Sequence, residues 1–273
     1  MLLLRVLRRL PLPLTLALAR PALSLYPRLR PAHARRLRAR FAASPFRELD
    51  LKGYYRARLE LMLRGLRAHG RELPPGSLGE VAGSGHYRAA LASGRPVALL
   101  GLHLGVVELL HRVPPAGGRP FVIVTAPAFS PALTAYLARG REREGKRVAV
   151  NGAAAPGLRA VLRRNGVLAL MADQYPGRAE DYLELWGGRL RVPYARRLLA
   201  LLLREGAWLL PVSTRLERDG RSSFRFHAGW GGADAAPGAL ETRLARFLEE
   251  AVAAAPEQWN WSYPKIRPGL SQR

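Results

Sequence analysis

From residue 95 onward, short apolar runs alternate with segments of helical length, and no other feature restricts the fold of this chain so strongly. Arg95–Gly101 (RPVALLG), Pro120–Thr125 (PFVIVT), Arg147–Val150 and Gly166–Met171 have the length and texture of buried strands. Pro131–Glu144, Pro156–Arg164, Tyr194–Arg204 and Leu240–Ala255 read as helices, and Leu104–His111 as the start of one. Strands alternating with helices predict a sheet covered by helices, an α/β fold. Trp208–Arg215 and Ser223–Ala228, joined by a turn at Asp219-Gly220, read as a hairpin, so part of the sheet is antiparallel. No internal repeat is visible.

The first quarter has a different character. Residues 1–72 hold 16 Arg and Lys52 against four acids (Glu48, Asp50, Glu60, Glu72), a net of +13 in a chain of net +24. A surface this basic attracts polyanions: nucleic acid, anionic lipid headgroups or phosphorylated substrates. Leu10–Ala19 is apolar apart from Thr15, but Arg9 and Arg20 bracket it, and it falls short of the roughly 20 residues a spanning helix needs. Pro11 and Pro13 interrupt it. Residues 1–30 therefore read as an interfacial anchor, with Leu at the acyl boundary and Arg on headgroup phosphates; a helical arm packed on the body is the alternative. Residues 32–70 read as helix, with Leu37, Phe41, Phe46, Tyr54, Leu59, Met62 and Leu66 at recurring helical spacings. The Pro- and Gly-rich Leu73–Gly85 reads as a connection. The expected division is an arm, 1–72, and a catalytic domain, 73–273.

Several chemistries are excluded or unsupported. The chain has no Cys, which removes disulfides, thiolate metal sites and a Cys nucleophile. No Ser occupies a Gly-x-Ser-x-Gly elbow, so no covalent acyl-enzyme is signalled. His33, His69, His86, His111 and His227 lack ligand spacing with one another, so no metal is expected, and no cofactor. Zinc-finger and RNA-binding aromatic patterns are missing too, which speaks against nucleic acid as the partner.

Four places carry candidate chemistry. In Gly101-Leu102-His103-Leu104-Gly105-Val106-Val107-Glu108, a His and a Glu follow a buried-looking strand. Positions five apart on one helix diverge by about 140°, so the two meet only if His103 lies in the turn and Glu108 in the first helical turns. A carboxylate on one imidazole nitrogen fixes the tautomer and raises the basicity of the other, as deprotonation of an alcohol requires. A packed His and an unrelated solvated Glu would give the same spacing. Arg139 and Arg141 end a helix, where cations favour the dipole and where Arg forks would also hold phosphate. Asp173-Gln174 closes a strand and enters a Gly- and Pro-rich loop, Tyr175 to Pro193; ligands of open α/β sheets gather at such strand ends, and turn-forming Asp is common there as well. Glu257 and Trp261 lie in Pro256-Glu257-Gln258-Trp259-Asn260-Trp261, whose Trp pair fits packing, an interface belt or a lipid contact.

In order, these blocks resemble the bacterial lipid A lauroyl/myristoyl acyltransferase family. Gly101–Leu109 is similar to its His-x4-Glu/Asp block, Arg139-Gly140-Arg141 to its Arg-Gly-Arg stretch, Asp173-Gln174 to its Asp-Gln block, and Ala255–Trp261 to its Pro-Glu-Gln-aromatic-x-Trp block. The resemblance covers roughly 30–268. It implies a glycerolipid-acyltransferase-like mixed sheet flanked by helices, with a membrane-associated N-terminal helical arm. It also implies acyl carrier protein as thioester donor, a glycolipid such as a lipid A precursor as acceptor, and work among anionic lipids at the cytoplasmic face of the inner membrane. His103 would be the general base and Glu108 its orienting carboxylate. Arg139, Arg141, Asp173, Gln174, Glu257 and Trp261 would contact substrate. The chain departs from the family in three places: Ala126 stands before Pro127 where an Arg is usual, the segment after Trp261 is short, and the N-terminal apolar stretch is cut by Pro and Arg. These leave another glycolipid or a lysophospholipid open as acceptor. A basic binding protein without enzymatic activity is the alternative of another class.

Overall fold

The computed structural model describes residues 10–68, 78–112, 118–127, 130–142, 146–150, 154–174, 181–231 and 238–269. Met1–Arg9 of the expected anchor, His69, and most of the connection before Leu78 lie outside them, as does 175–180 of the loop after Gln174.

The arm consists of three helices: α1 (Leu12–Leu29), α2 (Pro31–Ala42) and α3 (Leu51–Ala68). Helix α1 runs unbroken although Pro21 and Pro27 lie inside it, which corrects the reading that proline cuts up the segment. Pro13 falls in the first turn, where a missing N–H costs nothing. The single helix expected over 32–70 is two. Pro45 disfavours helical backbone at Ser44, and the Ser44 hydroxyl turns the chain by donating to Phe41 O (2.8 Å) and accepting from Phe46 N (3.1 Å). Asp50 then opens α3 by accepting from Gly53 N (2.7 Å).

The arm shares its core with the rest of the chain. Ala34, Leu37, Phe41 and Tyr54 are buried in one apolar cluster with Ala98 and Leu100, Leu168 and Leu170, and Trp259 and Trp261. Phe41 and Phe46 meet the Trp261 ring edge-on, at 5.4 and 6.3 Å between centroids. The buried Arg40 guanidinium donates to Trp261 O and to Pro264 O (3.2 Å), so its charge rests on carbonyl oxygens. No helix among the described residues is long and apolar enough to cross a membrane.

The body is built on a seven-stranded sheet of order β1-β9-β8-β2-β5-β3-β4. Its strands are β1 (Leu78–Ala82), β2 (Val97–Gly101), β3 (Phe121–Thr125), β4 (Lys146–Val150), β5 (Val167–Met171), β8 (Trp208–Leu216) and β9 (Ser222–Phe226). All neighbours are parallel except β8 and β9, the expected hairpin. Central β2 is buried along its whole length, which explains its unbroken VALLG run. Helices α4 (Ser84–Ala92), α5 (Pro131–Arg141), α6 (Ala154–Arg163), α7 (Arg196–Arg204) and α8 (Ala239–Ala254) complete the layers.

Other expectations differ in detail. Edge strand β1 lies within the stretch read as a connection; none of its residues is buried, so it carries no apolar signature. The segment after Leu104 forms a 3-10 turn, Val107–Arg112, rather than an α-helix. The loop before Pro193 holds a hairpin, β6 (Tyr182–Leu185) and β7 (Leu190–Pro193), turned by Gly187 and Gly188 at φ +68 and +79 and joined by β10 (Arg267–Pro268).

Candidate active site

Strands β2 and β5 are parallel neighbours in a register that sets Gly101 beside Met171. Two residues further on, His103 and Asp173 are level, and the His103 Nδ1 lies 2.9 Å from Asp173 Oδ1. The Asp173 carboxylate also accepts from the His103 backbone N–H (2.9 Å to Oδ2) and from the Trp259 indole N–H (2.8 Å). Three donors thus converge on a side chain that is only 1% exposed, while the His103 side chain keeps 28% of its surface open. Burial alone would push the Asp173 carboxyl up. The adjacent His103 ring and the N–H bonds from His103 and Trp259 outweigh it and hold the group below its ordinary range.

The imidazole loop is clamped from both sides. Asn260 N donates to His103 O (2.9 Å), Leu104 forms an antiparallel bridge with Trp259, and the Thr214 hydroxyl donates to Leu104 O (2.5 Å). Gly105, at φ +63, approaches β8 so closely that an added Cβ would lie 2.5 Å from Thr214 O. Gln258 fastens the C-terminal segment to the end of β8, accepting from Leu216 N and donating to Leu216 O, each at 2.8 Å. The Pro-Glu-Gln-Trp-Asn-Trp segment therefore acts as a strap that sets the position of His103.

Glu108 does not supply the carboxylate bonded to the ring, contrary to the expectation from spacing. Its oxygens accept a two-pronged pair of bonds from Arg141, Nε to Oε2 at 3.1 Å and an Nη to Oε1 at 2.6 Å. Arg141 also donates to the Thr125 hydroxyl (3.2 Å). The matched fork of guanidinium and carboxylate holds Glu108 toward α5, while its Cγ packs beside Gly65 of α3, 3.3 Å from where a Cβ would be. Glu108 and Arg141 thus tie three elements together at the rim of the sheet. Arg141 is committed to that clasp, and Arg139 is exposed on the same helix.

The remaining candidates separate as well. Trp261 is fully buried, its indole donating to Pro256 O (2.7 Å) and its ring stacked on Trp186, so it anchors the arm and does not face substrate. Trp259, its neighbour, reaches the chemistry. Gln174 stands next to Asp173, and its amide nitrogen is buried without a partner. Glu257 lies beside a cavity of about 910 Å³ between α3, the β8–β9 turn and the end of α8, where it is joined by Glu60, Arg64 and Arg218. Neither His103 nor Asp173 lines that cavity. No group of three or more potential metal ligands occurs among the described residues. The pairing of His103 with Asp173 was available from sequence only by placing the two parallel strands side by side and counting two residues beyond each; Thr214 gave no signal.

A sequence model described as bacterial lipid A biosynthesis acyltransferase matches residues 71–267, most of the chain, including His103, Glu108, Arg141, Asp173 and Trp259. No curated protein matches.

Replacing Asp173 by Asn should lower the unfolding free energy at neutral pH by about 1.5–3 kcal/mol, the range for hydrogen bonds to a charged acceptor. Because the folded carboxyl titrates below its unfolded value, its contribution is present above the ordinary carboxylate range and is lost as pH falls through the folded value. Urea unfolding of both proteins should therefore show a gap that is widest near neutrality and narrows in acid. A gap independent of pH would show that the charge on Asp173 contributes nothing.

Proposed function

Because the chain belongs to the bacterial lipid A biosynthesis acyltransferase family and is an acyltransferase, we propose that it moves a fatty acyl group from a thioester to a glycolipid hydroxyl, with His103 as general base. The donor in this reading is acyl carrier protein and the acceptor a lipid A precursor. The observation that carries it is the imidazole held on Nδ1 by a buried carboxylate and left partly open to solvent.

Each residue then has a chemical task. Asp173 accepts the Nδ1 proton in a hydrogen bond, which leaves the Nε2 lone pair facing outward and stabilises the ring when it becomes charged. His103 Nε2 takes the proton of the acceptor hydroxyl as its oxygen attacks the thioester carbon. The carbon–sulfur bond of the tetrahedral adduct breaks, and the thiolate leaves with the proton that the imidazolium returns. Ester and thiol are the products, and no external redox partner is needed. Trp259 and Asp173 position the base. Glu108 and Arg141 hold the rim, so Glu108 acts through the scaffold and not on the ring.

The setting of this chemistry is a membrane surface. Leu14, Leu18, Leu25 and Leu29 recur at helical spacing on α1 and are 46–73% exposed, with Arg20, Arg28 and Arg30 around them. A helix with an apolar stripe among cations suits the interface of an anionic bilayer, where acceptor lipids reside.

Two results follow. His103→Ala should abolish transfer from an acyl thioester in a protein whose circular dichroism shows it still folded; unchanged turnover would end the assignment. Leu18→Glu with Leu25→Glu should release the protein from phosphatidylglycerol vesicles in a flotation assay without loss of folding. Equal flotation of parent and variant would remove α1 as the membrane contact.

A further inference from the structure

Helix α3 packs on both the Val107–Arg112 and the Pro256–Gln258 turns, the segments that carry Glu108 and lead into Trp259. One face of it makes these contacts. The Tyr54 hydroxyl bonds Ser262 Oγ (2.8 Å), Arg58 follows one turn later, and Gly65 abuts Glu108.

The arginines of this region are used very unequally. Arg40 is satisfied by two carbonyls, and Arg64 by Glu60 and Gly220 O. Arg141 is taken by Glu108 and Thr125. Among the described residues, Arg58, on the inner face of α3, has a single hydrogen bond, from an Nη to Gln258 O at 3.5 Å, the outer limit of such a bond. No carboxylate lies within ion-pair distance of it among the described residues. A guanidinium carries five N–H donors, so most of those of Arg58 have no hydrogen-bond partner among the described residues. Burial pulls it below its ordinary range, against Tyr54 and Asp173, which favour its charge. The carbonyl it bonds, Gln258 O, immediately precedes Trp259, whose indole donates to the Asp173 carboxylate. Half-buried charge without a matched partner is costly to keep, and the fork of a guanidinium fits the oxygens of phosphate.

We propose that Arg58 is an anion-binding residue of the substrate site and receives a phosphate group of a substrate. The proposal rests on the acyl-transfer reading for the identity of that substrate, and two sources share the chemistry: the phosphate of a phosphopantetheine thioester donor and a phosphate on the glycolipid acceptor. Arg58 lies outside the matched residues 71–267. The arm would then contribute to substrate recognition as well as to the core.

The test uses the full chain and its Arg58→Gln and Arg58→Lys variants. Calorimetric binding of 4′-phosphopantetheine is compared with pantetheine, and of a phosphorylated lipid A precursor with its dephosphorylated form. Steady-state transfer is measured with the corresponding acyl-phosphopantetheine and acyl-pantetheine donors. The parent should prefer one phosphorylated ligand, and Arg58→Gln should raise KM for that ligand by roughly tenfold or more, the usual scale of a charge-assisted bond, and by more than it changes KM for the phosphate-free ligand. Arg58→Lys, which keeps charge and loses the fork, should retain part of the preference and covers the case in which the Gln variant does not fold. Loss confined to the donor pair, or to the acceptor pair, names the source of the phosphate. No phosphate preference in the parent, or an equal effect of the substitutions on ligands with and without phosphate, overturns the proposal. Phosphate preference that depends on Arg58 without any acyl transfer would uphold the anion site and refute the function proposed above.

Discussion

The Asp173 carboxylate, buried and holding three N–H donors, is the interaction on which the rest of the site depends. One of those donors is the catalytic candidate itself, one is the backbone that presents it, and the third is an indole from the far end of the chain. A buried carboxylate must be satisfied on all sides, and here the same bonds that satisfy it fix the tautomer of a histidine. Removing any one of them exposes the others to an uncompensated charge. The arrangement also explains why the loop at Leu104 and Gly105 is held so closely to Thr214: a base that is to meet a hydroxyl at a set distance cannot ride on a mobile loop.

The C-terminal strap and the N-terminal arm act together. Trp259 faces Asp173 and Trp261 faces the arm, with the two rings edge to face at 4.6 Å between centroids. Phe41, Phe46 and Arg40 secure the outer ring. The arm is thus joined through two tryptophans to the carboxylate that orients His103. This is a contiguous packed route in which each step is a van der Waals contact or a hydrogen bond. The exposed leucines of α1 lie at the outer end of the same assembly, so the helix that would meet a bilayer is built on the layer that supports the site.

The sheet could be read from the sequence because its central strands are buried on both faces and so are continuously apolar: VALLG and VLALM are not easily mistaken. Edge strand β1 and the β6–β7 hairpin were not legible, since exposed edges and glycine turns carry mixed polarity. Among site residues, His103 was found by its place after a strand. Its partner was misassigned because spacing along the chain favours a neighbour five residues away, whereas the contact that forms is set by the register between two strands. Glu108 turned elsewhere once Arg141 offered it a two-pronged bond. Trp261 was given a substrate role that its complete burial denies. Arg58 was not singled out, because only the packing of α3 reveals how little its donors are bonded among the described residues.

The claim that a buried aspartate sets the histidine for proton abstraction is tested most directly by the ring nitrogens themselves. Long-range proton–nitrogen correlation spectra of protein labelled with nitrogen-15 histidine report which nitrogen of the neutral ring bears the proton. The account predicts that neutral His103 carries it on Nδ1, with Nε2 unprotonated, and that this preference is lost in Asp173→Asn. A neutral His103 protonated on Nε2 in the parent protein would contradict it.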